Sequence, residues 1–292
     1  MNLAPPGYGW IAPAFVLSVG VIYFCIAYSA YISTQEWKGG SAGGTFVGFE
    51  NYAEALGNPL FWGALRHTLI FFLLVSATQI GMGIVFAAML HSQVRLAVVY
   101  KVIIFMPVVI APAIMAPVHR AVFASDGPIN WILIHIGLGD LAQPWLAQTS
   151  TSLLVVIAVQ IWSTIGFAFI LFYAAMGQIE PEVVEAARID GAGNVRLLWA
   201  IVVPSVRGTI FALLILNVIA ALKLFDYPYL LTRGGPVYTS DFLGTYIFRE
   251  AVSLSNLGYA SALAILLLIL AVAISVVVSL RSREREVVRA DV

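Results

Sequence analysis

The sequence predicts an all-α integral membrane protein with six transmembrane helices and one polar loop between the fourth and the fifth. Three observations predict it. Of the 292 residues, 61% are hydrophobic and 10% charged, with a mean hydropathy of +0.95, whereas soluble domains carry about 25% charged residues. Six apolar segments reach the ~20 residues that cross a bilayer core. They lie near 10–32, 68–90, 102–123, 152–174, 209–231 and 256–280. One stretch, 180–204, concentrates Glu180, Glu182, Glu185, Arg188, Asp190 and Arg196. The chain 1–292 therefore reads as a single transmembrane domain, with a polar loop at 175–208 and a charged tail at 281–292.

The first span lacks a basic leading region and its apolar run is too long for a cleaved signal peptide, so it is expected to be retained. Cys25 within it is the single cysteine of the chain and reads as a small hydrophobe. The loop from Ser33 to His67 is glycine-rich, then amphipathic from Phe46 to Tyr52, a pattern that suits an interfacial helix with aromatic anchors. In the third span Pro107, Pro112 and Pro117 recur every five residues. Each releases a backbone carbonyl that a neighbour or a wet cavity must satisfy. The span is thus either a broken, cavity-lining helix or a helix with packing kinks. The tail from Arg281 to Val292 is expected to fray, its arginines anchoring the inner face.

Lysine and arginine set the orientation. With both termini cytoplasmic, the inner segments hold Arg95, Lys101, Arg188, Arg196, Arg207, Arg281, Arg283, Arg285 and Arg289. The outer side holds Lys38, Arg66, Arg120, Arg233 and Arg249. Nine against five satisfies the positive-inside rule and puts the 175–208 loop in the cytoplasm. The expected location is the plasma (inner) membrane, multi-pass.

The polar loop has the grammar of helix, stop and helix. Pro181 suits a first helical position, Glu182 and Glu185 lie where the helix dipole favours negative charge, and Gly191 can take the left-handed conformation that ends a helix. Pro204 marks the start of the next membrane segment. Glu185-Ala186-Ala187, three residues, Gly191, nine residues, Ile201, one residue and Val203-Pro204 resemble the EAA loop of ABC importer permeases, with Val203 where that family usually has Leu. Asp190-Gly191-Ala192 is similar to its carbohydrate (maltose/glycerol-phosphate-type) branch. So are Asp126-Gly127-Pro128-Ile129-Asn130, Pro144-Trp145-Leu146 and Leu231-Thr232-Arg233-Gly234-Gly235-Pro236. The resemblance runs from Trp10 to Leu280. It implies a cytoplasmic coupling helix in which Glu185, Ala186, Ala187, Asp190, Gly191 and Pro204 transmit the motion of a separate ATPase. The slim Ala186–Ala187 surface permits close approach, and Glu185 and Asp190 offer charge across a polar interface. The bland alternative is a solvated amphipathic helix between two spans.

Polar residues inside spans are costly and often mark a solute path. Gln160 lies about 12 Å from a start near Ser152, and Asn217 about 12 Å from a start near Thr209, both near the middle of a ~30 Å core. Two amides at matching depth can hold a sugar hydroxyl, or they can bond between helices. The resemblance to the maltose permease implies sugar contacts at Gln160, Thr164 and Phe167, then Asn217, Ala221 and Leu224. Ala221 and Leu224 depart from that family's more polar pattern, which puts maltose itself in doubt. Lys223 and Asp226, three residues apart on the fifth span, are expected either to pair on one helix face or to form a polar gate.

No Walker A pattern of Gly-Lys-Ser/Thr occurs, so the chain is not expected to hydrolyse ATP. His67, His91, His119 and His135 lack metal-ligand spacing. The formal net charge of zero gives no hint of nucleic acid. The implied assembly contains a second permease subunit, two copies of an ABC ATPase and an extracytoplasmic solute-binding protein in a lipid bilayer. No cofactor is expected in this chain, ATP and Mg belonging to the ATPase. An ion-coupled secondary transporter would need a midplane carboxylate or inverted repeats, and neither is evident. An importer of glycerol-phosphate-type solutes stays open.

Overall fold

The computed structural model describes residues 11–40, 43–91 and 95–290, the last stretch with side chains as far as Val276. The elements follow from the chain order. Helix α1 (Ala12–Ile32) leads into a two-stranded antiparallel ribbon, β1 (Gln35–Glu36) with β2 (Thr45–Phe46), then α2 (Glu50–Gly57) and the long α3 (Pro59–His91). Next come α4 (Ala97–Val109), α5 (Pro112–Val122), α6 (Pro128–His135) and α7 (Ser152–Met176). The polar loop holds α8 (Pro181–Ile189), α9 (Asn194–Leu197), a π-helical turn at Leu198–Val202 and α10 (Val203–Ser205). Finally α11 (Arg207–Leu222), α12 (Asp226–Leu231), α13 (Leu243–Phe248) and α14 (Leu257–Ala290) complete the chain.

Among the described residues, α1, α3, α7 and α14 up to Val276 are each long and apolar enough to cross a bilayer. Two bent pairs bring the number to six: α4 with α5, bent by 100°, and Asn194–Ser205 with α11, bent by 67°. The all-α membrane class therefore holds, but the expected third and fifth spans are not continuous. The third breaks at Ile110 and Ala111, both extended (ψ 124° and 138°), because Pro112 pushes the residue before it out of the helical region. The fifth, expected over 209–231, stops at Leu222 and resumes at Asp226. Pro228 explains the gap: it has no N–H for the carbonyl of Leu224, and its ring would strike that carbonyl in an unbroken helix. The tail differs too. The backbone stays helical to Ala290, since extending an existing helix costs far less than nucleating one.

The chain forms two compact units, Met1–Trp62 with Tyr246–Val292, and Gly63–Thr245. In the first, α1 packs along α14. Asn51 Nδ2 donates to the carbonyls of Ser33 and Gln35 at 2.8 and 2.9 Å, fixing the ribbon on α2. Asn58 Nδ2 donates to the hydroxyls of Tyr246 and Tyr259, which bond each other at 2.9 Å.

The second unit has two hydrophobic clusters with a polar layer between them. One cluster gathers Phe71 and Val75 of α3, Val155, Val156 and Val159 of α7, and Leu224, Tyr227 and Phe242. The other, next to the polar loop, gathers Ile84, Ala87 and Leu90 of α3, Phe169, Phe172 and Met176 of α7, and Val202, Val206 and Leu213. Along α3, Ser76 and Gln79 fall between the two; along α7, Gln160, Ser163 and Thr164 do. Helices α4 and α7 approach closely at Gly166, where a Cβ would lie 2.4 Å from the carbonyl oxygen of Ile104. Small residues permit this kind of backbone approach in membranes.

Candidate functional site

The polar layer opens into a cavity of about 240 Å³. Three elements build it. Helix α7 contributes Gln160, Ser163 and Thr164, whose i, i+3, i+4 spacing puts them on one face. The α4–α5 break contributes Pro107, Val108, Ile110 and Pro112, and the α11–α12 break contributes Ala220 and the run from Lys223 to Tyr227. Two interrupted helices thus meet at one polar hollow. Interrupted backbone at membrane depth is tolerated where protein buries it or where it lines such a cavity.

Hydrogen bonds tie the α7 face to its neighbours. Ser163 Oγ shares a 2.7 Å bond with the hydroxyl of Tyr227. Thr164 Oγ1 donates to the carbonyl of Gln160 at 2.7 Å and accepts from Gln79 Nε2 at 2.7 Å. Because the Thr164 proton is already committed, Gln79 must present its NH₂ there. Its carbonyl, Oε1, is left buried with no hydrogen-bond partner. Gln79 is only 3% exposed, and an unmet buried acceptor costs about 1–3 kcal/mol.

Of the expected pathway residues, the cavity gathers Gln160, Thr164, Lys223, Leu224 and Asp226. It does not gather the other three. Asn217 is 7% exposed, and its Nδ2 donates to Ser76 Oγ of α3 at 3.2 Å. Ala221 sits in the hydrophobic cluster with Phe71. Phe167 is exposed on α7 and lies outside the lining. Gln160 and Asn217 do not share a hollow, because their side chains leave their helices toward different neighbours. No ion pair joins Lys223 to Asp226. Lys223 caps α11, Asp226 opens α12, and Phe225 between them has φ −142°, so the single helix face needed for pairing does not exist. Four contributors went unread in the sequence: Ser76, Gln79, Ser163 and Tyr227. The signal for Gln79 was there, an amide inside an apolar run; Tyr227 carried none beyond its neighbour Pro228.

The polar loop is built as its residues suggest. Helix α8 buries no side chain, and Glu185, Ala186 and Asp190 are exposed. It ends in a Schellman turn: the Ala192 N–H reaches the Ala187 carbonyl at 2.9 Å, and the Gly191 N–H reaches that of Arg188 at 3.0 Å. Gly191 has φ +80°. Ile189, Val195 and Trp199 leave 86%, 72% and 67% of their surface exposed, an unusual apolar display on a loop. Pro204 lies just past the π-helical turn at Leu198–Val202, whose widened ring accommodates a proline that cannot bond four residues back. Val202 and Val206 root the loop in the hydrophobic cluster of α3 and α7.

Residues 79–286 match the family described as "Binding-protein-dependent transport system inner membrane component". Among curated relatives, the chain is 31% identical to the "Probable ABC transporter permease protein YurN" of Bacillus subtilis, over 88% of this chain and 89% of that one. It is 28% identical to the "Sulfoquinovosyl glycerol transport system permease protein SmoG" of Agrobacterium fabrum, over 87% and 82%. Among solved structures, a chain of a bacterial alginate ABC transporter in complex with alginate pentasaccharide-bound periplasmic protein superposes with a TM-score of 0.81. That match covers 95% of this chain and 93% of that one at 24% identity, and so speaks to the fold.

Proposed function

The chain belongs to the family of binding-protein-dependent transport system inner membrane components, the permeases of ABC transporters, and from that premise we propose that it passes a carbohydrate or related polyol through the cavity between α4–α5, α7 and α11–α12. The observation that carries the reading is the meeting of two helix breaks, α4–α5 and α11–α12, at one polar hollow. An interrupted helix exposes backbone donors and acceptors that a hydroxylated solute can use in place of water. A relative named for sulfoquinovosyl glycerol transport supports a sugar-type solute.

The energy comes from outside the chain. In this reading α8 docks on a separate ATPase through Glu185, Ala186, Ala187 and Asp190, with Ile189, Val195 and Trp199 supplying apolar contact. Gly191 fixes the angle at which the chain leaves α8, and Pro204 the angle at which it rejoins the membrane. A push on α8 is passed to Val202 and Val206, then to the cluster of α3 and α7 beneath the cavity. Two ATPase copies carry ATP and Mg, a second permease completes the pore, and a solute-binding protein delivers from the outer side. Both termini are cytoplasmic. The arrangement gives alternating access around a fixed site.

Reconstitution tests this. The chain is co-expressed with the second permease, ATPase and binding protein, placed in proteoliposomes, and offered a panel of radiolabelled neutral and acidic sugars and polyols. Uptake is expected only with ATP and all subunits, and the chain purified alone should show no ATP hydrolysis. Uptake that follows an ion gradient without ATP would favour a secondary transporter and overturn the reading.

A further inference from the structure

Lys223 and Asp226 are the two charged residues lining the cavity. Both are exposed, and neither pairs with the other. On an unbroken helix, residues three apart share a face and would neutralise one another. The α11–α12 interruption separates them, so each charge is free to meet a third party. Both face the open side of the hollow, where solvent screens them until a solute displaces it, so the partner each charge can take is whatever enters the hollow.

The chemistry of that species follows from the lining. An anion gains from Lys223 and loses from Asp226; a cation does the reverse. An uncharged molecule rich in hydroxyls engages both, because an ammonium donates up to three hydrogen bonds and a carboxylate only accepts them. Bonds to charged partners are about twice as strong as neutral ones. The remaining polar lining, Gln160, Ser163, Thr164 and Tyr227, is neutral and adds no preference of sign. We propose that Lys223 and Asp226 act as a split ion pair that makes the cavity select an uncharged polyhydroxylated solute over anionic and cationic analogues. The proposal rests on the reading of the cavity as the solute path.

A thiol reporter tests it without knowledge of the solute. Ala220 is exposed, lines the cavity and lies three residues from Lys223 on α11. In the assembled transporter, Cys25→Ser combined with Ala220→Cys leaves one thiol on this chain, in the hollow. Its modification rates are measured with 2-(trimethylammonium)ethyl and 2-sulfonatoethyl methanethiosulfonate, relative to a free thiol in solution. With Lys223 and Asp226 in place, the cation-to-anion rate ratio should stay within about threefold of the free thiol. Asp226→Asn should shift the ratio toward the anion by on the order of tenfold, and Lys223→Gln toward the cation by a similar factor. The double variant should restore it, and Lys223→Arg with Asp226→Glu should keep it. A ratio that ignores both single changes, or is already strongly one-sided in the parent, overturns the split pair. So does failure of both single variants to assemble, which would make the two residues structural. Co-purification with the ATPase and basal ATP hydrolysis are followed on the same samples. A ratio that ignores both single changes removes the split pair alone, whereas an introduced thiol that is never modified removes the cavity as the path as well.

Discussion

The turn at Gly191 offers a prediction whose magnitude can be worked from the backbone. A Cβ added there would meet nothing within 4 Å, so crowding is not the constraint. The constraint is φ +80°, a left-handed conformation that costs an ordinary L-residue roughly 1–2 kcal/mol. Asn tolerates it best after Gly, because its short polar side chain bonds locally. Ala narrows the unfolded chain and recovers about 0.4–1 kcal/mol of the cost, leaving a net loss near 1 kcal/mol. A β-branched Val is worse than either. The expected order of function is therefore Gly, Asn, Ala, Val, although Asn is larger than Ala. A loss of ~1 kcal/mol raises the opening of the turn about fivefold, since ~1.4 kcal/mol is tenfold. Hydrogen exchange of the Gly191 and Ala192 amides, the two donors of the Schellman turn, should accelerate by about that factor in Gly191→Ala and less in Gly191→Asn. ATP-driven uptake by the assembled transporter should fall in the same order while membrane insertion is unchanged. Equal exchange in Gly and Ala variants, or uptake that tracks side-chain size rather than tolerance of positive φ, would refute the reasoning.

Other outcomes follow from the same geometry. Glu185→Lys reverses charge on the exposed face of α8 and should abolish uptake with insertion intact; normal uptake with the ATPase still co-purifying would count against coupling through this residue. Asn217→Leu strands the Ser76 hydroxyl and should lower the melting temperature of the complex by an amount matching about 1–3 kcal/mol, leaving solute affinity unchanged, whereas Gln160→Leu should weaken affinity; affinity and melting temperature measured on both variants distinguish these roles. Thr164→Val leaves the Gln79 amide with neither group paired and should destabilise more than Gln79→Leu, which removes an unmet acceptor. The double change should be milder than Thr164→Val alone, and simple additivity in denaturation would argue against the Gln79–Thr164 bond. Gly166→Val drives a side chain into the backbone of α4 at Ile104 and Phe105 and should prevent stable assembly; an unchanged melting temperature would show that α4 and α7 lie farther apart.

Sequence alone determined the membrane class, because bilayer thickness fixes how long an apolar run must be, and runs add up residue by residue. It also determined the stop after α8, because the steric rule at Gly191 is local to one residue, and the Glu185-to-Pro204 spacing pointed to the family for the same reason. The breaks were half legible. Pro112 announces the first, and Pro228 the second, but Pro228 lay inside a run apolar enough to pass as continuous helix. Which polar groups meet was decided only by the tertiary structure. Gln160 and Asn217 look alike in composition and depth, yet one lines the hollow and the other bonds to Ser76. Lys223 and Asp226 have the spacing of a helical ion pair, and the interruption between them prevents it. Gln79 gains its unmet carbonyl only because Thr164 on another helix has spent its proton on Gln160. Hydropathy and backbone sterics act within a few residues of one chain segment. The direction a side chain faces, and what it finds there, depends on helices whose approach is set by their packing against one another.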